Sequence, residues 1–256
     1  MVRIAAFRTL GLFVKLPLLT TNKTYLEDVI SSILETVNSR DAGLSVRVKA
    51  GWALGNLMDG LVEMPQGPEK LLTDEQARDL LKASLISAKD NDKCKSNAMR
   101  AIGGLLRLAS REFSFRQRES LVKDSIMALI KNVETGPVKV RWNAAHALSN
   151  CFQNDDLPLG RDASWTEAVY TCLCEAMKTS KNFKVRIHSC VALRGPKRAE
   201  MYDVVDGGPS MLGQLLLGVI EAWKTADRLE DIGFTEFKYR EQLRSQVREP
   251  IYLHFI

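Results

Sequence analysis

The chain has 256 residues, of which 45% are hydrophobic and 26% are charged, a composition that suits a packed core and excludes disorder. Its 36 basic and 31 acidic residues give a net charge of +5, too small to indicate nucleic-acid binding by itself. Five cysteines, an odd number without a disulfide-type spacing, predict reduced thiols, and no signal or membrane segment is visible. We therefore expect a cytoplasmic or nuclear protein.

A five-residue pattern recurs along the chain, with a basic residue at its second position and a small residue at its fifth. The copies begin at residues 2, 46, 94, 140 and 185, so their starts are 44, 48, 46 and 45 residues apart. A period in this range is typical of helical solenoids. No strand period is present, and the sequence predicts an all-α fold, a right-handed α-α superhelix forming one domain over residues 1–256.

Each repeat is predicted to hold a first helix, a short turn and a second helix that opens with the pattern. Capping boxes predict first helices that begin at Thr24, Thr73, Ser114 and Ser164, each answered three residues later by Glu or Gln. These helices should end near Asn38, Ala88, Val133 and Thr179, and a fifth should run over about residues 210–225. The predicted repeats cover residues 1–20, 21–63, 72–110, 114–155, 164–195 and 210–256.

Both ends of the chain depart from this plan. The first copy lies in a second helix without its partner, so we expect an uncovered apolar flank at Ile4, Phe7 and Leu10, as in a piece of a longer array. A last second helix should be stopped by Glu249-Pro250, because proline removes a backbone donor. The apolar residues 251–256 do not match the repeat pattern.

On the second helix of the second predicted repeat, Lys49, Trp52 and Asn56 share one arc beside the core arc. Asparagine can donate to and accept from a peptide main chain, and aromatic rings can bound side-chain pockets. Because no acidic residue occupies the equivalent positions, the row favours an extended, neutral or acidic protein segment on the concave face. The alternative is a solvated face that merely tolerates asparagine. The candidate partner-binding residues are Lys49, Trp52, Asn56, Asn97, Arg100, Asn143, His146, Asn150 and His188.

A second row is basic in all five copies and lies across the core arc, near the turn within each repeat: Arg3, Arg47, Lys95, Arg141 and Arg186. We predict a structural ladder in which Arg47 pairs with a turn acid such as Asp41, and Lys95 with Asp90 or Asp92. The alternative is a nucleic-acid-binding edge, supported by further lysines at Lys131, Lys139, Lys178, Lys181 and Lys184.

Catalytic patterns are scarce in this sequence. It has no His-Glu pair for iron, no phosphate-binding glycine loop and no GxSxG elbow, so we expect no enzyme, metal, cofactor or small-molecule substrate. A helical-repeat DNA glycosylase needs only a basic groove, aromatic residues and a carboxylate. The groove positions here carry no carboxylate, which argues against that enzyme.

The segments 46–57, 139–151 and 183–193 resemble HEAT repeats, which implies an α-α superhelix. The spacing of Trp52 and Asn56, repeated by His146 and Asn150, is also similar to the armadillo peptide-binding array of nuclear import adaptors. That similarity fails in the third and fifth copies, where Arg100 precedes Gly104 and Val191 precedes Gly195. The absence of groove acids argues against the basic cargo of those adaptors.

Overall fold

A computed structural model describes residues 1–39, 41–64, 71–109, 118–204, 211–226 and 234–253. Every regular element in these ranges is helical, which confirms the all-α prediction. The α-helices are α1 (Val2–Phe13), α2 (Pro17–Thr20), α3 (Lys23–Asn38), α4 (Leu44–Val62), α5 (Asp74–Ser87), α6 (Asp92–Leu108), α7 (Glu119–Thr135), α8 (Val138–Cys151), α9 (Thr166–Thr179), α10 (Phe183–Leu193), α11 (Met211–Ala226) and α12 (Phe234–Leu253).

The chain forms two compact units, residues 1–128 and 129–256, and their boundary falls within α7. In the first unit, the second helices α1, α4 and α6 pack side by side, and the first helices α3 and α5 pack on each other. Helix α3 also packs on α4, and α5 on α6, so the unit is a stack of helix pairs. The single solenoid over residues 1–256 remains a prediction.

The second unit repeats this arrangement. Its second helices α8, α10 and α12 pack in sequence, while α9 packs on α11 and each first helix contacts its own second helix, α9 with α10 and α11 with α12. Two 3-10 turns, Gly160–Asp162 and Ala199–Tyr202, lie in the connections between repeats and pack on each other. Connections in this unit are therefore part of its core.

Aromatic rings anchor these connections. The Tyr170 ring stacks on the Tyr202 ring with centroids 5.1 Å apart, and it lies 6.0 Å from the Phe152 ring. The Tyr170 hydroxyl donates to the Met201 carbonyl at 3.0 Å, and the Tyr202 hydroxyl donates to the Leu193 carbonyl at 2.7 Å. Both buried hydroxyls thus have acceptors, as buried polar groups require.

The helix starts agree with the predicted capping boxes in one case. Thr73 caps α5 in a capping box with Gln76, as predicted. Helix α3 is capped by Asn22, whose Oδ1 accepts from the Tyr25 amide at 3.0 Å, so the prediction of Thr24 is wrong. Asparagine is a stronger N-cap than threonine and stands two residues earlier.

The predicted box at Ser164 is also wrong. Helix α9 is preceded by Trp165, which makes no side-chain cap and is 1% exposed. The Thr166 hydroxyl instead donates to the Gly160 carbonyl at 2.8 Å, so packing of the preceding connection sets the start of this helix. The box predicted at Ser114 lies outside the described residues.

The terminal helices also differ from prediction. Phe7 is 5% exposed, Ile4 and Leu10 are half-buried, and α1 packs on α4, so the predicted uncovered flank is wrong. Helix α12 continues past Pro250 to Leu253. Because Pro250 has no N–H, the Gln246 carbonyl lacks its usual donor within the helix. The Cys190 thiol donates to this carbonyl instead, at 3.4 Å. Because this carbonyl has a donor, the helix can continue beyond the predicted stop at Pro250.

Candidate functional site

The basic row faces protein groups near the turns. Arg47 of α4 donates from Nε to Asp90 Oδ2 at 2.8 Å and also to the Ala42 carbonyl. This hydrogen bond from Arg47 holds the pKa of Asp90 below its ordinary value. The acid paired with Arg47 is thus Asp90 of the following turn, not the predicted Asp41. Lys95 pairs with Asp92 at 3.1 Å.

In the other three copies the basic side chain meets neutral oxygens. Arg141 Nε donates to the Val133 carbonyl at 2.7 Å, near the end of α7. Arg186 Nε donates to the Ser180 carbonyl at 2.6 Å, directly after α9. Arg3 donates to Thr36 Oγ1 at 3.1 Å. Carbonyls at a helix C-terminus carry partial negative charge, so a guanidinium there satisfies them without a turn acid.

The candidate binding row of the first unit is partly engaged inside the protein. Asn56 is 4% exposed, and its Nδ2 donates to the Gly11 carbonyl at 2.7 Å while its Oδ1 accepts from Arg100 at 2.9 Å. Arg100 also pairs with Asp59. The expectation that Asn56 and Arg100 present their polar groups to a partner does not match this geometry, because those groups join α1, α4 and α6.

Trp52 lies where α1 approaches α4 closely. A Cβ atom added at Gly11 would meet the Trp52 ring at 2.6 Å, so the glycine is what allows this approach. The Lys49 ammonium lies 5.5 Å from the Trp52 ring centroid, a cation–π distance. Asn97 is half-buried and donates to the Lys93 carbonyl at 3.0 Å. Lys49, Trp52 and Asn97 remain partly exposed on this face.

The candidate binding row of the second unit is arranged differently from that of the first unit. His188 of α10 stacks on Trp142 of α8 with centroids 5.5 Å apart and planes 23° apart. It also meets His146 edge-on at 5.1 Å. His146, Asn150 and His188 are half-buried, whereas Asn143 is buried. The structure thus brings together three of the four predicted residues at the partly exposed surface.

Desolvation by these neighbours decides the charge of His188. Burial, with smaller contributions from the nearby His146 and Lys184, lowers the pKa of His188 from 6.5 to about 4. At neutral pH its imidazole is therefore uncharged, and it offers a flat ring with one donor and one acceptor.

The sequence prediction missed Trp142 and Tyr239 of this surface, and it assigned Lys184 to the alternative nucleic-acid edge. The Lys184 ammonium lies 5.8 Å from the Trp142 ring centroid and 5.0 Å from that of Tyr239 in α12. Trp142 could have been found from the repeat itself. It occupies the third position of the pattern, where the other copies carry Ile4, Val48, Ser96 and Ile187, so a large aromatic residue is unusual there. We call Trp142, His146, Lys184, His188 and Tyr239 the aromatic patch.

The charged residues on helices α8 and α10 are all basic. Helices α8 and α10 together contain four basic residues and no acidic residue. Of the four, Arg141 and Arg186 hydrogen-bond to carbonyls, while Lys139 is exposed and Lys184 is half-buried. The partly exposed surface of these helices therefore attracts negatively charged groups and does not repel neutral ones.

Four of the five thiols are buried and poorly reactive. Cys94, Cys151, Cys172 and Cys190 are buried, and burial raises the pKa of each thiol, to about 11 for Cys94 and about 12 for Cys190. Within the described ranges no group of three or more metal-binding side chains occurs. No helix in the described part of the chain is both long and apolar enough to span a membrane.

Comparisons with known proteins bear on the fold. No family model matches the chain. It is 24% identical to an uncharacterised protein of Dictyostelium discoideum, over the whole of this chain but only 23% of that protein's length.

Solved structures of repeat proteins are similar over nearly the whole chain. An engineered protein superposes with a TM-score of 0.56 at 17% identity, covering 96% of this chain and 92% of its own. Computationally designed armadillo repeat proteins for modular peptide recognition superpose with a TM-score of 0.55 at 15% identity, covering 95% of this chain and 91% of their own. A further designed armadillo repeat protein superposes with a TM-score of 0.53 at 14% identity, covering 95% of this chain and 92% of its own. The fold is an α-α solenoid of the armadillo/HEAT-like class.

Proposed function

We propose that this protein is a non-enzymatic scaffold that binds an extended, neutral or acidic protein segment along the face of its second helices. The observation that carries the proposal is the aromatic patch, a partly exposed group of aromatic, histidine and lysine side chains on helices α8, α10 and α12. Helices α8 and α10 supply no acid to repel a negatively charged segment.

The chemistry of the patch suits a peptide. Trp142 and the neutral His188, both half-buried, offer flat ring surfaces on which apolar side chains of a peptide can pack. The designed armadillo proteins of similar fold are described as made for modular peptide recognition. In the first unit, Lys49, Trp52 and Asn97 are the residues of the predicted row that remain partly exposed, and we propose a binding role for them there as well.

Sequence resemblance supports a scaffold of the HEAT type. The segments 47–57, 184–187 and 237–239 look like the C-terminal half of HEAT repeat-containing protein 6. We propose this relationship together with the predicted cytoplasmic or nuclear location. Helical arrays of this class present long surfaces in which each repeat contacts only its neighbours, which suits the holding of extended segments.

The test is a selection from a phage-displayed library of random 12-residue peptides against the purified chain. Selected peptides are synthesised, and their affinities are measured by isothermal titration calorimetry. We expect the double variant His146→Ala, Asn150→Ala to weaken binding at least tenfold. The matched control is Thr171→Ala on the exposed side of α9, which should bind like the wild type. Peptides that bind both variants equally, or the absence of any selected peptide, would overturn the proposal.

The alternative function is nucleic-acid binding along the turn edge. The five residues of the basic row hydrogen-bond or pair with protein groups, which disfavours a phosphate track built from them. Exposed Lys131, Lys139 and Lys181 keep this edge of the second unit basic. Binding of a 20-nucleotide single strand that weakens steeply as salt rises would favour this alternative, because phosphate contacts release counterions.

A further inference from the structure

We propose that Lys184 is the anion-binding residue of the aromatic patch, and that the protein segment bound there carries an Asp or Glu side chain beside an apolar residue. The inference rests on the proposed peptide-binding function and specifies the chemistry of its partner. The carboxylate would contact the Lys184 ammonium, and the apolar neighbour would pack on Trp142 or Tyr239.

The Lys184 ammonium lies against two aromatic rings. Within the described part of the chain it makes no ion pair, and its neighbours are the rings of Trp142 and Tyr239. Lys178 in α9 shows the opposite arrangement, because it pairs with Glu175 at 3.4 Å and with Glu221 at 3.7 Å. Lys178 thus has carboxylate partners, whereas the Lys184 ammonium lies against aromatic rings.

The two rings fix the position of this charge. Tyr239 lies on α12 and Trp142 on α8, so Lys184 on the intervening α10 is attracted from both sides at 5.0 and 5.8 Å. Ring faces attract an ammonium without accepting strong hydrogen bonds, so its N–H groups stay available to a carboxylate. A side chain already held in place loses less entropy when it binds a ligand.

The surroundings concentrate the positive charge on one residue. Arg186, two positions later, is 5% exposed and directs its guanidinium to the Ser180 carbonyl and to Thr225. His188, one turn along the helix from Lys184, stacks on Trp142 as a neutral ring. A carboxylate arriving at the patch therefore meets the half-buried Lys184, bounded by aromatic surfaces that favour an apolar neighbour.

The test uses the peptides selected from the random 12-residue library. Each Glu or Asp in a selected peptide is replaced by Gln or Asn, and titration calorimetry is run with the wild type and with Lys184→Gln. Loss of a charge-assisted hydrogen bond in a partly desolvated site weakens binding by about tenfold. With the wild-type protein, we expect this loss of affinity when one particular acidic residue of the peptide is replaced. With Lys184→Gln, we expect the acidic peptide and its neutral counterpart to bind with equal affinity.

Two variants separate a local contact from general charge attraction and from unfolding. Lys184→Arg keeps the charge and should keep the preference for the acidic peptide. Lys181→Gln removes an exposed lysine three residues earlier and should leave that preference unchanged. Circular dichroism of all three variants should show the helical content of the wild type and a cooperative thermal transition.

The failures of the two proposals are distinguishable. If the neutral peptides bind the wild type as tightly as the acidic ones, while His146→Ala, Asn150→Ala still weakens both, Lys184 is not the anion-binding residue and the scaffold proposal stands. If no peptide depends on the patch, both proposals fall. If a 20-nucleotide single strand binds through Lys184 more tightly than any peptide does, the ligand is nucleic acid and the peptide assignment is overturned.

Discussion

The protonation of His188 should make the stability of the second unit depend on pH. The imidazole lies between Trp142 and His146, where burial lowers its pKa to about 4. In the unfolded chain the pKa returns to about 6.5. Because the folded pKa is the lower one, the unfolded state binds the proton more tightly, and stability is lost as the pH falls from 6.5 towards 4.

The size of the effect follows from these two values. One pKa unit corresponds to about 1.4 kcal/mol, so His188 contributes almost no pH dependence above pH 7 and about 2 kcal/mol of lost stability by pH 5. The variant His188→Gln cannot take up this proton and should lack this part of the dependence. Carboxylates that titrate in the same range are common to both proteins and cancel in the difference.

The assay is urea unfolding followed by circular dichroism at pH 7, 6 and 5. We expect the free energy of unfolding of the wild type, minus that of His188→Gln, to fall by about 2 kcal/mol between pH 7 and pH 5. A difference that stays constant over this range would refute the inference that His188 is held neutral by its neighbours in the folded protein.

Three further predictions concern the core and the ladder. A double-mutant cycle with Arg47→Met and Asp90→Asn should give a coupling free energy of up to about 1 kcal/mol in urea unfolding, and zero coupling would show that the pair is incidental. Gly11→Ala should destabilise by about 1–3 kcal/mol because its Cβ meets the Trp52 ring. Gly213→Ala, with open space around its Cβ, should not destabilise, and equal thermal midpoints for both variants would contradict the close approach. In the native protein at pH 8, a disulfide reagent should leave the four buried thiols unmodified until urea is added, and their rapid reaction would contradict the burial.

The fold was predictable because helical periodicity is a local property of the chain. Helix α3 ends at Asn38 and α9 at Thr179, as the periodicity and the turn residues predict. Helix starts were less predictable, since a cap depends on which neighbouring oxygen reaches the first amides. Asn22 precedes the expected Thr24, and the start of α9 is set by Thr166 packing on the preceding connection.

The site was predictable only in part, because a helical wheel describes one helix without its neighbours. Asn56 lies on the predicted arc, but α1 comes so close at Gly11 that the amide is buried between helices. Trp142 and Lys184 lie beside the predicted row, and only the packing of α10 against α8 and α12 brings them into one patch with His188. Such contacts depend on distances between helices, which the repeat pattern does not contain.

Photo-crosslinking tests the central proposal most directly. Benzoylphenylalanine is introduced at position 142 in α8 or, in a second protein, at position 171 on the exposed side of α9. Each protein is irradiated with a selected acidic peptide, and the products are mapped by mass spectrometry. The proposal predicts peptide adducts from position 142 and none from position 171. Adducts from position 171 alone would place the binding surface on the first helices and contradict it.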